Sequence, residues 1–175
     1  ARPFAEGVAP VEIDGRWGFI DTGGAVAITP EFTDADRFGA GLAPVQLGDH
    51  WGYIDHDARL VIEPRFMYAC SFSESLARVF VWGDELFGYI DGSGELIIAP
   101  FSDNVGDFSE GLAVATIDGM CGYIDRTGSV VIAPRFEYAG QFAEGLAPVC
   151  LDGTVGYIDR GGEFAIPTMF DDGEA

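Results

Sequence analysis

Short apolar runs separated by turn-forming residues make up almost the whole chain. Leu42–Leu47, Trp51–Ile54 and Leu60–Ile62 follow one another with Gly48-Asp49 and the polar stretch from Asp55 between them, and the same order recurs from one end to the other. Runs this short, rich in Val, Ile, Tyr, Phe and Trp and bounded by Gly, Asp and Pro, predict strands. Apolar residues nowhere recur at the three-and-four spacing of an amphipathic helix, so the chain is predicted to be all β.

The pattern is periodic. Aligned on the phrase Phe-x-Glu-Gly-Leu-Ala, which some copies carry in altered form, Phe4, Phe38, Phe72, Phe108 and Phe142 fall in register at steps of 34, 34, 36 and 34 residues. A second phrase reads WGFID, WGYID, FGYID, CGYID and VGYID, and its glycines, Gly18, Gly52, Gly88, Gly122 and Gly156, keep the same steps. Two landmarks advancing together mark five tandem copies of one unit, at 4–37, 38–71, 72–107, 108–141 and 142–175, in a single domain over 1–175.

Each unit predicts an antiparallel meander of three strands. Asp14-Gly15, Asp118-Gly119 and Asp152-Gly153 are two-residue connections of the type I′ kind, and Gly48-Asp49 occupies the same place in the second repeat. A second turn has the form Asp-x-x-Gly at Asp21, Asp91, Asp125 and Asp159, with Asp accepting a backbone N–H and Gly taking a positive φ. The second repeat places Ala58 where that Gly belongs. The third strand is expected to end at Pro30, Pro64, Pro100, Pro134 or Pro167, since proline cannot donate to a ladder. An eight-residue linker to the next Phe carries Phe32, Phe66, Phe101 or Phe136 and reads as an irregular crossover or a fourth short strand.

Within WGYID, Trp51, Tyr53 and Asp55 share one face of the strand while Gly52 and Ile54 share the other. Large apolar groups on both faces suit a strand packed on two sides. The glycine marks a close backbone approach or a bulge. The first letter drifts through Trp, Trp, Phe, Cys and Val but stays apolar, which points to packing volume rather than to an aromatic binding box.

The combination of Phe-x-Glu-Gly-Leu-Ala-Pro-Val, Trp-Gly-Tyr-Ile-Asp-x-x-Gly and Ile-x-Pro-x-Phe, over nearly all of the chain, resembles the bacterial WG-repeat family, also called KWG repeats. The chain departs from that pattern where Phe87, Cys121 and Val155 replace Trp, and in lacking the Lys that often precedes it. The resemblance implies a binding or scaffold module attached to varied partners.

No unit of this size excludes water from its own apolar residues, so stability has to come from stacked neighbours. Open arrays need polar end caps, yet repeats 1 and 5 keep the apolar positions of the middle ones. A closed, propeller-like toroid is therefore favoured over the alternative, an open β-superhelix; truncation of a longer array leaves the same signature.

Charge narrows the partners. Asp and Glu total 29 against 9 Arg and no Lys, a net charge of -20 that repels nucleic acid and anionic membranes and attracts cationic ligands. Without Lys, Schiff-base chemistry on an internal amine is excluded. Cys70, Cys121 and Cys150 lack Cys-x-x-Cys spacing and read as small core residues, not a zinc site or disulfide framework. No apolar run reaches the roughly 18 residues of a membrane helix. A soluble protein is expected, with the cytoplasm favoured.

Three candidate constellations remain. A ring of turn carboxylates, Asp21, Asp55, Asp91, Asp125 and Asp159, is more simply explained by the turns they head, and no calcium-loop pattern accompanies it. His50 and His56 sit in two different turns of repeat 2, so a shared metal is not expected, and no nucleophile motif accompanies them for catalysis. The first connection of repeat 3 is two residues longer than the others and carries Trp82, Asp84 and Glu85, an aromatic beside two carboxylates suited to a cationic or carbohydrate ligand. The expectation is a non-catalytic interaction module without cofactor or metal, binding a protein. The alternative is multivalent recognition of a small ligand or sugar between repeats, and an enzyme using the repeat 2 histidines stands third.

Overall fold

The computed structural model describes residues 1–81, 83 and 86–171. Strands β1 (Val8–Ile13), β2 (Arg16–Asp21) and β3 (Val26–Phe32) form the first sheet. The second comprises β4 (Asp34–Ala35), β5 (Ala43–Leu47), β6 (His50–Ile54) and β7 (Leu60–Phe66), and the third β8 (Tyr68–Ala69), β9 (Ala77–Phe80), β10 (Phe87–Ile90) and β11 (Leu96–Ser102). β12 (Leu112–Ile117), β13 (Met120–Asp125) and β14 (Val130–Phe136) make the fourth, followed by β15 (Tyr138–Ala139), β16 (Leu146–Leu151), β17 (Thr154–Asp159) and β18 (Phe164–Asp171). All pairings are antiparallel between neighbours in sequence. Two compact units result, Ala1–Phe101 and Ser102–Ala175.

Turn chemistry sets the registers. Asp14-Gly15, Asp118-Gly119 and Asp152-Gly153 have positive φ at both positions, as type I′ requires. In the second repeat only Gly48 is positive, the II′ arrangement, because Gly precedes Asp there. Ala58 takes φ +59 to keep the turn that Gly makes elsewhere, and its N–H donates to Asp55 O at 3.0 Å.

The linker does form a fourth strand, of two residues, and it pairs with the first strand of the following repeat: Asp34 opposite Gln46, Tyr68 opposite Phe80, Tyr138 opposite Cys150. In repeat 3 this shrinks to a single bridge, Val105 to Ala115.

Proline does not end the third strand. β7 runs on to Phe66, because Pro64 sits in a bulge and not in the ladder. Trp51 pairs with Phe66 and Tyr53 with Ile62, leaving residues 63–65 opposite Gly52 alone. A Cβ at Gly52 would collide with the Ile62 carbonyl oxygen and lie 2.8 Å from Pro64 N; at Gly122 it would lie 2.6 Å from Ile132 O. Glycine and proline are thus two halves of one device: a missing side chain admits the bulge, and the bulge needs no N–H from its proline.

The core lies between consecutive sheets. Phe19, Ile28 and Phe32 of the first sheet meet Ala43, Val45 and Ile54 of the second. The opposite face of the second sheet, Trp51, Tyr53, Ile62 and Phe66, meets Phe72, Val79 and Ile90. In the other unit Tyr123, Ile132 and Phe136 meet Phe142, Val149 and Ile158. WGYID is therefore buried on both faces. Cys70, Cys121 and Cys150 are buried and form no disulfide, as small core residues.

Candidate interaction surfaces

The joint between repeats is built by a turn that strand patterning alone does not reveal. In Phe-x-Glu-Gly the last two residues fold as a tight two-residue turn with both φ positive, Glu6 at +50 and Gly7 at +87, closed by the Ala5–Val8 pair of backbone bonds at 2.9 and 3.1 Å. At Phe38, Phe72 and Phe142 the Phe at its head enters the core beside the aromatic of the preceding repeat's Gly-aromatic-Ile-Asp. Ring centroids are 5.1 Å apart for Phe19 and Phe38, 5.1 Å for Tyr53 and Phe72, and 4.9 Å for Tyr123 and Phe142. The Tyr53 hydroxyl donates to Cys70 O and that of Tyr123 to Gly140 O, each at 2.8 Å. Burial first, and then the neighbouring Cys121 and Tyr138, push the Tyr123 hydroxyl well above the usual tyrosine range.

The Glu of the turn reaches forward. Glu6 accepts from Gly41 N–H at 3.2 Å and Glu110 from Gly145 N–H at 3.0 Å. His56 completes the first of these joints: its ring stacks on Phe38 at 3.9 Å and its Nε2 lies 3.0 Å from Glu6 Oε2. The histidines are therefore not brought to one another; His56 serves the repeat boundary, while His50 opens β6 opposite Leu47. Arg65 and Arg135 bridge boundaries as well, donating to the carbonyls of Gly94 and Gly162 while lying over Phe66 and Phe136.

The turn aspartates are occupied by their own turns. Oδ1 of Asp55 accepts from Asp57 N–H at 2.9 Å and Arg59 N–H at 2.8 Å, and Asp21, Asp91, Asp125 and Asp159 repeat the arrangement. Hydrogen bonding from Ser93 and Thr127, their hydroxyls first, holds the Asp91 and Asp125 carboxyls below the ordinary range. Among the described residues no group of three His, Cys, Asp or Glu is placed to hold a metal ion, and no helix is long and apolar enough to cross a membrane.

Trp82, Asp84 and Glu85 lie outside the described residues. Around them, Phe80 pairs with Phe87, and Val81 N–H donates to Leu86 O at 3.2 Å. Val81 also lines a groove of about 410 Å³ with Arg65, Phe66, Gly94, Glu95 and Leu96.

A second surface follows the third strands. In each sheet that strand is an edge, and its first residues are exposed although apolar: Val26, Leu60-Val61, Leu96-Ile97 and Val130-Val131, between 37% and 54% accessible. Sequence reading assigned these residues to strands without separating them from the core. Alternation does not separate them, because in strands packed on both faces adjacent apolar residues such as Tyr53 and Ile54 are both buried.

The sequence model of the WG-containing repeat matches residues 1–17, 17–49, 51–81, 87–121 and 122–154. The chain belongs to the WG-repeat family. No curated protein sequence matches it. Among solved structures, this WG-repeat chain resembles a crystallised eukaryotic initiation factor with a TM-score of 0.63 at 10% identity, over 95% of this chain and 53% of that one. It spans about half of that protein's length. A protein of unknown function from Bacteroides caccae aligns over 91% of this chain and 77% of its own with 14% identity and a TM-score of 0.43. At such identities the first likeness concerns the fold alone.

Proposed function

We propose that this WG-repeat chain is a non-catalytic interaction module that presents its third-strand edges to a protein partner carrying positive charge. The observation that supports this reading is that an exposed apolar pair recurs, as Leu60-Val61, Leu96-Ile97 and Val130-Val131, at the equivalent place on an edge strand in each of three repeats. Edge strands of natural sheets are usually blunted by charge or cover, and here apolar side chains stand on them instead. The net charge of -20 selects a basic partner and repels polyanions. Binding a partner along such an edge uses backbone groups for affinity and side-chain pockets for specificity.

The test compares affinity capture by the wild-type chain with capture by a Val61→Asp, Ile97→Asp, Val131→Asp variant. Wild type is expected to retain a protein that the variant loses, with both unfolding alike, since exposed substitutions cost within about 0.5 kcal/mol. Equal recovery by both baits rejects the edge as the binding surface.

A second reading rests on the groove between repeats 2 and 3, where Arg65 and Glu95 flank Phe66 and Leu96. A small polar or carbohydrate ligand would bind there, beside the connection that carries Trp82, Asp84 and Glu85. Glycan-array binding that is lost in Trp82→Ala and Glu85→Ala, with the edge variant unaffected, favours this reading over the first.

A further inference from the structure

The groove between repeats 2 and 3 has a filled counterpart between repeats 4 and 5. In the first, Arg65 lies over the Phe66 ring, its Cζ 5.1 Å from the centroid, and donates through Nη2 to Gly94 O. Val81, Glu95 and Leu96 complete the lining. In the second, strand register puts Arg135, Phe136, Leu151, Gly162, Glu163 and Phe164 at the same positions. Arg135 lies over Phe136 at 5.0 Å and donates to Gly162 O, so the polar frame is the same.

The side chains within the frame differ. Leu151 and Phe164 pack onto the core, Phe164 edge-on to Phe136 with centroids 6.3 Å apart. Their counterparts Val81 and Leu96 are smaller, and Leu96 is 44% exposed. An aromatic ring is thus withheld where the chain's own fifth repeat supplies one. About 410 Å³ stands open there, within the roughly 300–1,000 Å³ of small-molecule sites.

Charge at the rim defines the rest of the occupant. Arg65 commits Nη2 to Gly94 O, and the remaining donors of a guanidinium fork match a carboxylate. Glu95 is exposed on the same groove, and none of the ion pairs among the described residues joins it to Arg65. Two opposite charges left apart in this way suit a carboxylate and an ammonium carried on one carbon. The net charge of -20 repels a purely anionic ligand, whereas a zwitterion carries no net charge for that field to act on.

We infer that this groove binds a free α-amino acid with an aromatic side chain. The ring sits edge-on to Phe66 in the place that Phe164 fills between repeats 4 and 5, the carboxylate on Arg65 and the ammonium on Glu95. The inference rests on the reading of the groove as a small-ligand site and narrows that ligand to an aromatic zwitterion.

Isothermal titration calorimetry of the full chain with free phenylalanine tests this. Binding is expected at about millimolar or tighter, in keeping with a ligand of few heavy atoms. Alanine lacks the ring, N-acetylphenylalanine the ammonium and phenylalaninamide the carboxylate; each is expected to bind about tenfold or more weaker. Leu96→Phe installs the residue that the fifth repeat already carries in this frame, and is expected to abolish binding at an unchanged melting temperature. Glu95→Gln, an exposed change, is expected to weaken phenylalanine about tenfold and leave N-acetylphenylalanine unaltered. No binding of phenylalanine up to about 10 mM, equal binding of all four compounds, or wild-type binding by both variants overturns the inference. If phenylalanine fails while a glycan binds and Leu96→Phe abolishes that binding, the small-ligand reading stands and the aromatic zwitterion falls. If neither binds, both fall.

Discussion

At the scale of single residues, what counts is space and φ rather than chemistry. Gly52 has no room for a methyl group, because Ile62 O and Pro64 N occupy the place of its Cβ and both belong to the backbone. Gly52→Ala is expected to cost about 3 kcal/mol, the upper part of the usual range for forcing atoms into a packed site, read from denaturant unfolding. Ala58 is the converse case. It holds φ +59 with a Cβ that disfavours it, so Ala58→Gly is expected to stabilise by about 0.5–1 kcal/mol. An unchanged unfolding midpoint would mean that the turn tolerates alanine without strain.

At the scale of elements, each Asp-x-x-Gly turn is a carboxylate cradled by the loop it heads. Asp125 accepts from the Thr127 hydroxyl at 2.6 Å, and this is the first reason its carboxyl stays ionised below the ordinary range. A depressed folded pKa contributes stability that is present above the unfolded pKa of about 4 and lost as pH falls through the folded one. Thr127→Val removes that donor. Its acid-unfolding midpoint, followed by circular dichroism, is expected to move to higher pH, and no shift would assign the turn's acid resistance to the backbone bonds alone. The turns and the three main strands were legible in sequence because each depends on residues close in the chain. The extension of β7 and its counterparts past proline was not, since it depends on a glycine in the neighbouring strand making room for the bulge.

At the scale of the molecule, stability resides between sheets. Phe19, Ile28 and Phe32 have their partners in repeat 2, and Trp51, Tyr53 and Phe66 have theirs in repeat 3. The unit spanning Ala1–Phe101 contains two complete inter-sheet cores, whereas residues 38–71 contain only one side of each. The 1–101 fragment is expected to unfold cooperatively on its own and the 38–71 fragment to stay unfolded in water; a folded 38–71 peptide would refute stacking as the source of stability.

The sequence by itself determined the period, the three main strands of each unit and their Asp-Gly and Asp-x-x-Gly turns, because alternation, positive-φ residues and glycine positions act over a few residues. It also showed a family whose repeats stack. Only the tertiary structure decided which apolar residues are covered: Phe4 and Phe38 are the same letter in the same phrase, and so are Ile62 and Ile166, yet one of each pair is buried and the other open. Burial depends on what lies across the joint, and identical repeats acquire different neighbours by their place in the array.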